Sequence, residues 1–412
     1  MVKSKSYKWE LLLVLWFAYF INQADRQIFS IVMPLIKIDL DLKDSELGLI
    51  ASVLVWTFGL LVPIAGFLGD RLSRKKIIGG SLLFWSLATL FTGACNTVTQ
   101  FVLLRGIATG GGEAFYAPAA NALISNEHPN KTSFALAIHQ TSVYFGIILS
   151  GLITGYLATE YGWRNAFYFF GMLGVLISAV VFIRFKKDLP AQNTGPIQLK
   201  TGLKAFKKPT VVLLTIAFGC MVFVNVGYLT WMPSLLAEKF GLSLTEAGFN
   251  SMLYHHIGAF AGVILGGFFA DKLAASFSGN RLLIQLLALF FAAPFIYWVG
   301  MASTITQTYI ALFCFGLFRG VYDSNIYASL YEVISPQIRS SVSGLMLMFA
   351  FLTGAFSPLL LGILKPIMGL SLGFSWLWVS YVIGGICLLV ALLFYFKKDF
   401  HVNTSEALTN EI

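Results

Sequence analysis

Apolar runs of about 20 residues recur along this chain, each long enough to cross roughly 30 Å of hydrocarbon as a helix. They lie near 10–34, 46–69, 77–95, 98–124, 133–158 and 165–185, then near 210–236, 246–270, 282–301, 305–333, 340–364 and 373–396. Of the 412 residues, 57% are apolar and 11% charged, against about 25% charged in soluble domains. A core enclosed by water could not hold that much apolar surface, so lipid is the other solvent. Barrel strands would show as short alternating segments instead. The sequence therefore predicts an all-α polytopic membrane protein of twelve transmembrane helices.

The net charge of +9 would suit a nucleic-acid partner if it were clustered, but its distribution follows the membrane instead. With both termini in the cytoplasm, 20 of the 28 Lys and Arg fall on that side, and only Lys37, Lys43, Arg164, Lys239 and Lys365 fall outside. Arg26, Arg105 and Arg319 lie at membrane depth. That 20-to-5 bias sets the orientation and is not the footprint of a nucleic-acid binder. The expected address is an inner (plasma) membrane. Cys95, Cys220, Cys314 and Cys387 all fall in spans without metal-type spacing, so they read as buried apolar residues and no metal site is expected. The first apolar stretch contains Asp25 and Arg26 and lacks a small-residue cleavage site, so it is not a removable signal.

The chain repeats itself. Met33-Pro34 matches Met232-Pro233, Gly48 matches Gly248, and "GFLGD" at 66–70 matches "GFFAD" at 267–271. "EHPNKTS" at 127–133 parallels "ISPQIRS" at 334–340. The nearly constant offset, 199 to 207 residues, predicts a six-plus-six duplication. We expect an N-terminal bundle over 1–185, a basic, proline-containing cytoplasmic linker over 186–209, a C-terminal bundle over 210–396 and a polar tail over 397–412.

The loop after the second span reads "GFLGDRLSRKK". With Gly66, Asp70, Arg71 and Arg74 in place, it resembles the signature that joins spans 2 and 3 of the major facilitator superfamily. The resemblance implies a gating role for these residues, with Asp70 pairing with basic groups or a helix N-terminus. "NQADRQIFS" at 22–30, "GEAFYAP" at 112–118, "GWRNAF" at 162–167 and "YLTWMP" at 228–233 look like the anion:cation symporter branch. The first half is also similar to spinster-type transporters. Two departures stand out: Gln23 replaces a common Tyr, and Arg105 precedes Glu113 by eight residues rather than the usual seven.

Ionisable groups inside a span are rare and mark partners, cavities or substrate paths. Asp25, Arg26, Arg105, Glu113 and Arg319 stand out, with Asp323 nearby. Asp25 and Arg26 project about 100° apart on one helix, so they cannot both face the same neighbour. Glu113 follows Gly110-Gly111-Gly112, a run tolerated where backbones approach closely or a helix bends; a carboxylate there suits reversible protonation. Arg319 and Asp323, four apart, share a helix face and can pair with each other. Such charges can also serve as a buried network that fixes helix packing.

No phosphate-binding Gly-Lys-Ser/Thr loop occurs, so nucleotide is not the expected driving force, and no nucleophile or metal cluster points to an enzyme. The expected activity is proton-coupled symport of a small organic anion such as a hexuronate, aldonate or sialate. Asp25 and Glu113 carry the proton, Arg26, Arg105 or Arg319 holds the carboxylate, and Gln140, Asn225, Tyr228 and Asn325 contact hydroxyls. Gln140 rests on the resemblance, which implies a substrate-contacting Gln in span 5. No cofactor is expected beyond the coupling proton, and the partners are the anionic substrate and the bilayer, with the chain acting as a monomer whose halves rock about the site. A spinster-like carrier of lysolipids or amphiphiles, or a neutral-sugar transporter, is the alternative.

Overall fold

A computed structural model describes residues 5–186, 199–274 and 279–400; within these, the side chains of Asp70 and Arg71 and of several other residues lie outside the described residues. We number the long helices α1 (Lys5–Asp39), α2 (Asp44–Arg71), α3 (Arg74–Thr92), α4 (98–127), α5 (Thr132–Tyr161) and α6 (Trp163–Arg184). The second set is α7 (Pro209–Phe240), α8 (Leu244–Ala274), α9 (Asn280–Met301), α10 (305–333), α11 (339–368) and α12 (370–399). Gly369, at φ 77, makes the sharp turn between the last two. Among the described residues there is no strand. Most helices overrun the expected apolar spans at both ends, because hydrogen bonding continues into the interface after the apolar run stops. The third is an exception: expected over 77–95, the helix stops at Thr92, and Gly93, Ala94 and Cys95 form a turn.

Large apolar side chains point outward throughout, among them Phe84, Phe145, Leu176, Phe268, Phe291 and Ile367, each at least 52% exposed. The charged groups Asp25, Arg105 and Glu113 are turned inward instead, each 1% exposed, which is the arrangement lipid imposes.

The duplication appears in hydrogen bonds as well as in letters. Thr97 caps α4 by accepting from the Gln100 N–H at 3.3 Å, while the Gln100 side chain accepts from the N–H groups of Asn96 and Thr97. Thr304 and Gln307 repeat the reciprocal cap at the start of α10, with Ser303 in the place of Asn96. Ser243 and Glu246 form another reciprocal cap on α8.

The described chain forms two compact units. One contains α1–α6 together with Val226–Leu253 and Ala355–Leu370; the other contains α7 up to Asn225, Tyr254–Gly354 and the chain from Ser371. Inside the first unit, α2 crosses α11 where a Cβ on Gly48 would meet the Pro358 carbonyl and one on Gly362 would meet the Asp44 carbonyl. In the same unit α8 crosses α5, where Gly248 lies on Gly151 and Thr245 on Gly155. Gly151 and Gly155 precede Pro358 and Gly362 by 207 residues each, so one packing joint is built twice. Beside the first joint, Asp44 takes Lys37 at 2.6 Å and Lys365 at 3.0 Å. In the second unit, Lys208 Nζ donates to the Val333 and Asp399 carbonyls.

Candidate functional site in the first helical unit

Four of the membrane-depth charges meet inside the first unit as two crossed ion pairs. Asp25 and Arg26 are adjacent on α1, so their side chains leave the helix in different directions. Asp25, 1% exposed, turns toward α3 and α4. Its Oδ1 accepts from Arg105 NH1 at 2.9 Å, its Oδ2 from the Thr89 hydroxyl at 2.6 Å, and its main-chain oxygen from Arg105 NH2 at 2.7 Å. Arg105 is equally buried and lies in a π-helical stretch of α4, Val102–Thr109. The wider turn changes how side chains are aimed, a distortion that recurs at functional sites.

Arg26 faces the other way. Its Nε donates to Glu113 Oε2 at 2.7 Å, and its guanidinium lies 4.1 Å from the centre of the Phe58 ring on α2. Neither terminal nitrogen of Arg26 makes a hydrogen bond among the described residues, and Glu113 Oε1 is buried without one. The Arg26 side chain is 19% exposed, whereas the Asp25–Arg105 pair is sealed at 2% and 1%. One pair is closed and the other is open at its cationic end.

The glycine run explains how Glu113 gets there. A Cβ on Gly110 would strike the backbone of Leu54 on α2, and one on Gly112 would strike Trp85 on α3. Without side chains at these positions, α4 wedges between α2 and α3 and delivers Glu113 to α1. The helix then breaks into a turn at Ala114 and Phe115 before resuming at Tyr116. Tyr116 donates to the Leu15 carbonyl at 2.6 Å and lies 3.3 Å from His139 Nε2, while Tyr19 stacks on His139 at 4.7 Å.

The other candidates divide as follows. Gln140 is exposed on α5, one position from the fully buried His139. Tyr228 is in the first unit, buried, with its hydroxyl donated to the Ser251 carbonyl. Arg319 is in the second unit, where it contacts His255 Nε2 at 3.0 Å and Asp323 at 3.2 Å. Asn325 spends its amide N–H groups on the Val321 carbonyl and the Ser324 hydroxyl, leaving Oδ1 buried and unpartnered. Asn225, half-buried, has an unpartnered Oδ1. Of the gating residues, Gly66 has open space where a Cβ would stand and Arg74 is buried; the Asp70 and Arg71 side chains lie outside the described residues. Sequence reasoning missed Thr89 and Phe58, for which a single sequence carries no signal.

The Major Facilitator Superfamily profile matches residues 15–358. The chain is 26% identical over 377 residues to a hexuronate transporter of Bacillus subtilis (strain 168), covering 86% of this chain and 87% of that one. It is 30% identical over 303 residues, 66% of each chain, to a protein of the same strain described as a probable galactarate/D-glucarate transporter. The crystal structure of a bacterial homologue of the human lysosomal transporter Spinster superposes with a TM-score of 0.80 at 22% identity, covering 97% of this chain and 100% of that one. The duplicated helical halves and the profile agree: the chain belongs to the Major Facilitator Superfamily and is a multi-pass membrane transporter, not an enzyme.

Proposed function

We propose that this transporter carries small sugar acids together with a proton, Glu113 binding the proton and Arg26 the carboxylate. The observation that carries this reading is the open Arg26–Glu113 pair, whose guanidinium has two uncommitted nitrogens among the described residues. The two sugar-acid relatives supply the substrate class.

The chemistry is a competition. While Glu113 is ionised it neutralises Arg26, and a second carboxylate gains little there. A proton on Glu113 removes that competitor, and the guanidinium can then take the substrate in bidentate fashion. Proton and anion therefore bind with positive coupling, each raising the affinity for the other. Arg105 is already held by both side chain and main chain of Asp25, so it positions that carboxylate rather than the substrate. In this reading both termini and the 186–209 linker face the cytoplasm and the chain works as a monomer in the cell's inner membrane.

Proteoliposomes test it directly. Uptake of a hexuronate or aldarate should accelerate with acid outside and collapse with a protonophore. Full uptake driven by a sodium gradient alone would overturn the proton assignment.

A further inference from the structure

The "GWRNAF" segment takes no part in the ion-pair chemistry, yet it borders two grooves at the Asp39 end of α1, α5 and α6. The first, about 480 Å³, is lined by Leu35, Ile38, Asp39, Tyr161, Trp163 and Arg164 among others. The second, about 470 Å³, runs between α5 and α6 over Leu157, Tyr168, Phe169, Met172, Leu173 and Leu176. Tyr161 and Asn165 line both, so the two are adjacent.

Their chemistries differ in a useful way. In the first groove Arg164 stacks 4.2 Å over the Trp163 ring and donates to Asp39 Oδ2 at 2.5 Å and to Asn96 at 2.8 Å. Trp163 Nε1 donates to the same Asp39 oxygen at 3.1 Å. Asp39 Oδ1 accepts no hydrogen bond among the described residues, and the Asp39 and Arg164 side chains remain 47% and 32% exposed. A fixed anion and a fixed cation thus stand side by side at the level where Trp and Tyr favour the bilayer interface. The tight turn that sets them there needs Gly162, at φ 87.

The second groove is apolar, with Tyr161, Met172 and Leu176 more than half exposed. From Asn165 to Leu176 it descends about 16 Å along the helix, which matches the roughly 15 Å depth of one leaflet.

We propose that pocket and groove together hold one aminophospholipid of the phosphatidylethanolamine type. Its ammonium donates to Asp39 Oδ1, its phosphate lies against the exposed side of Arg164, and one acyl chain fills the α5–α6 groove. A zwitterionic head suits the site because it matches both charges, whereas an anionic head would meet the Asp39 carboxylate.

The full chain, purified in mild detergent and mixed with equal phosphatidylethanolamine and phosphatidylglycerol, should retain one ethanolamine lipid in native mass spectrometry. Asp39→Asn should lower that occupancy about tenfold by removing a charge-assisted bond and erase the preference over phosphatidylglycerol. Met172→Trp, which fills the groove without touching the head pocket, should lower retention of both lipids. Equal retention of the two lipids by the wild type, or wild-type occupancy in folded Asp39→Asn, overturns the proposal. If Asp39→Asn fails to fold, Met172→Trp decides: an unchanged lipid count overturns it. Conversion of a dimer to a monomer by Met172→Trp with lipid unchanged would assign the face to a second copy instead.

Discussion

Replacing Glu113 with Gln imitates the protonated carboxyl at nearly constant shape, and it should uncouple binding from pH. In the wild type, raising the pH ionises Glu113, and the 2.7 Å contact with Arg26 then competes with the substrate carboxylate. A hydrogen bond to a charged group contributes about 1.5–3 kcal/mol, which is one to two decades in affinity. Linkage of one proton limits the slope to about one decade in Kd per pH unit above the midpoint. The variant should therefore bind with the acid-limit affinity of the wild type at every pH, and it should exchange substrate across a membrane without accumulating it. Isothermal titration of purified protein between pH 5 and 9, paired with counterflow in proteoliposomes, measures both. A folded Glu113→Gln protein that keeps the wild-type slope would refute the competition. Loss of binding at all pH values would show that Glu113 contacts the substrate or supports the fold instead.

Arg26→Ala should weaken binding of a sugar acid by one to two decades while barely changing that of a neutral analogue lacking the carboxylate, as read by competition. Thr89→Val removes a donor from buried Asp25 Oδ2 and should cost about 1–3 kcal/mol, visible as a lower melting temperature. Gly110→Ala drives a Cβ into the Leu54 backbone and should separate α4 from α2, reducing folded yield far more than Gly66→Ala, which meets open space. Hydrogen bonds from Arg164, then Trp163, hold the Asp39 carboxyl below its ordinary range. A depressed pKa contributes stability that is present above about pH 4, the unfolded value, and lost as pH falls through the lower folded value; Asp39→Asn should flatten that acid limb of the melting curve.

Much of the architecture was legible because lipid imposes a coarse rule. Each span must be a run of apolar residues, and the positions of Asp25, Arg26, Arg105, Glu113 and Arg319 at depth can be counted from the ends of those runs. The Thr97–Gln100 and Thr304–Gln307 caps were missed, although a reciprocal cap depends only on residues three apart.

The sequence alone thus determined the all-helical membrane fold, the duplication and the short list of buried charges, since these depend on composition and spacing along one helix at a time. Which acid meets which base depended on how each helix is rotated about its axis, and that is fixed by distant contacts. Gly110 and Gly112 let α4 approach Leu54 and Trp85, and the π-helical turn at Val102–Thr109 aims Arg105 at Asp25. Only after both are in place does Glu113 reach Arg26 and leave two of its nitrogens uncommitted among the described residues. The two arginines and two carboxylates of α1 and α4 admit more than one pairing on paper; close packing between helices far apart in sequence permits one.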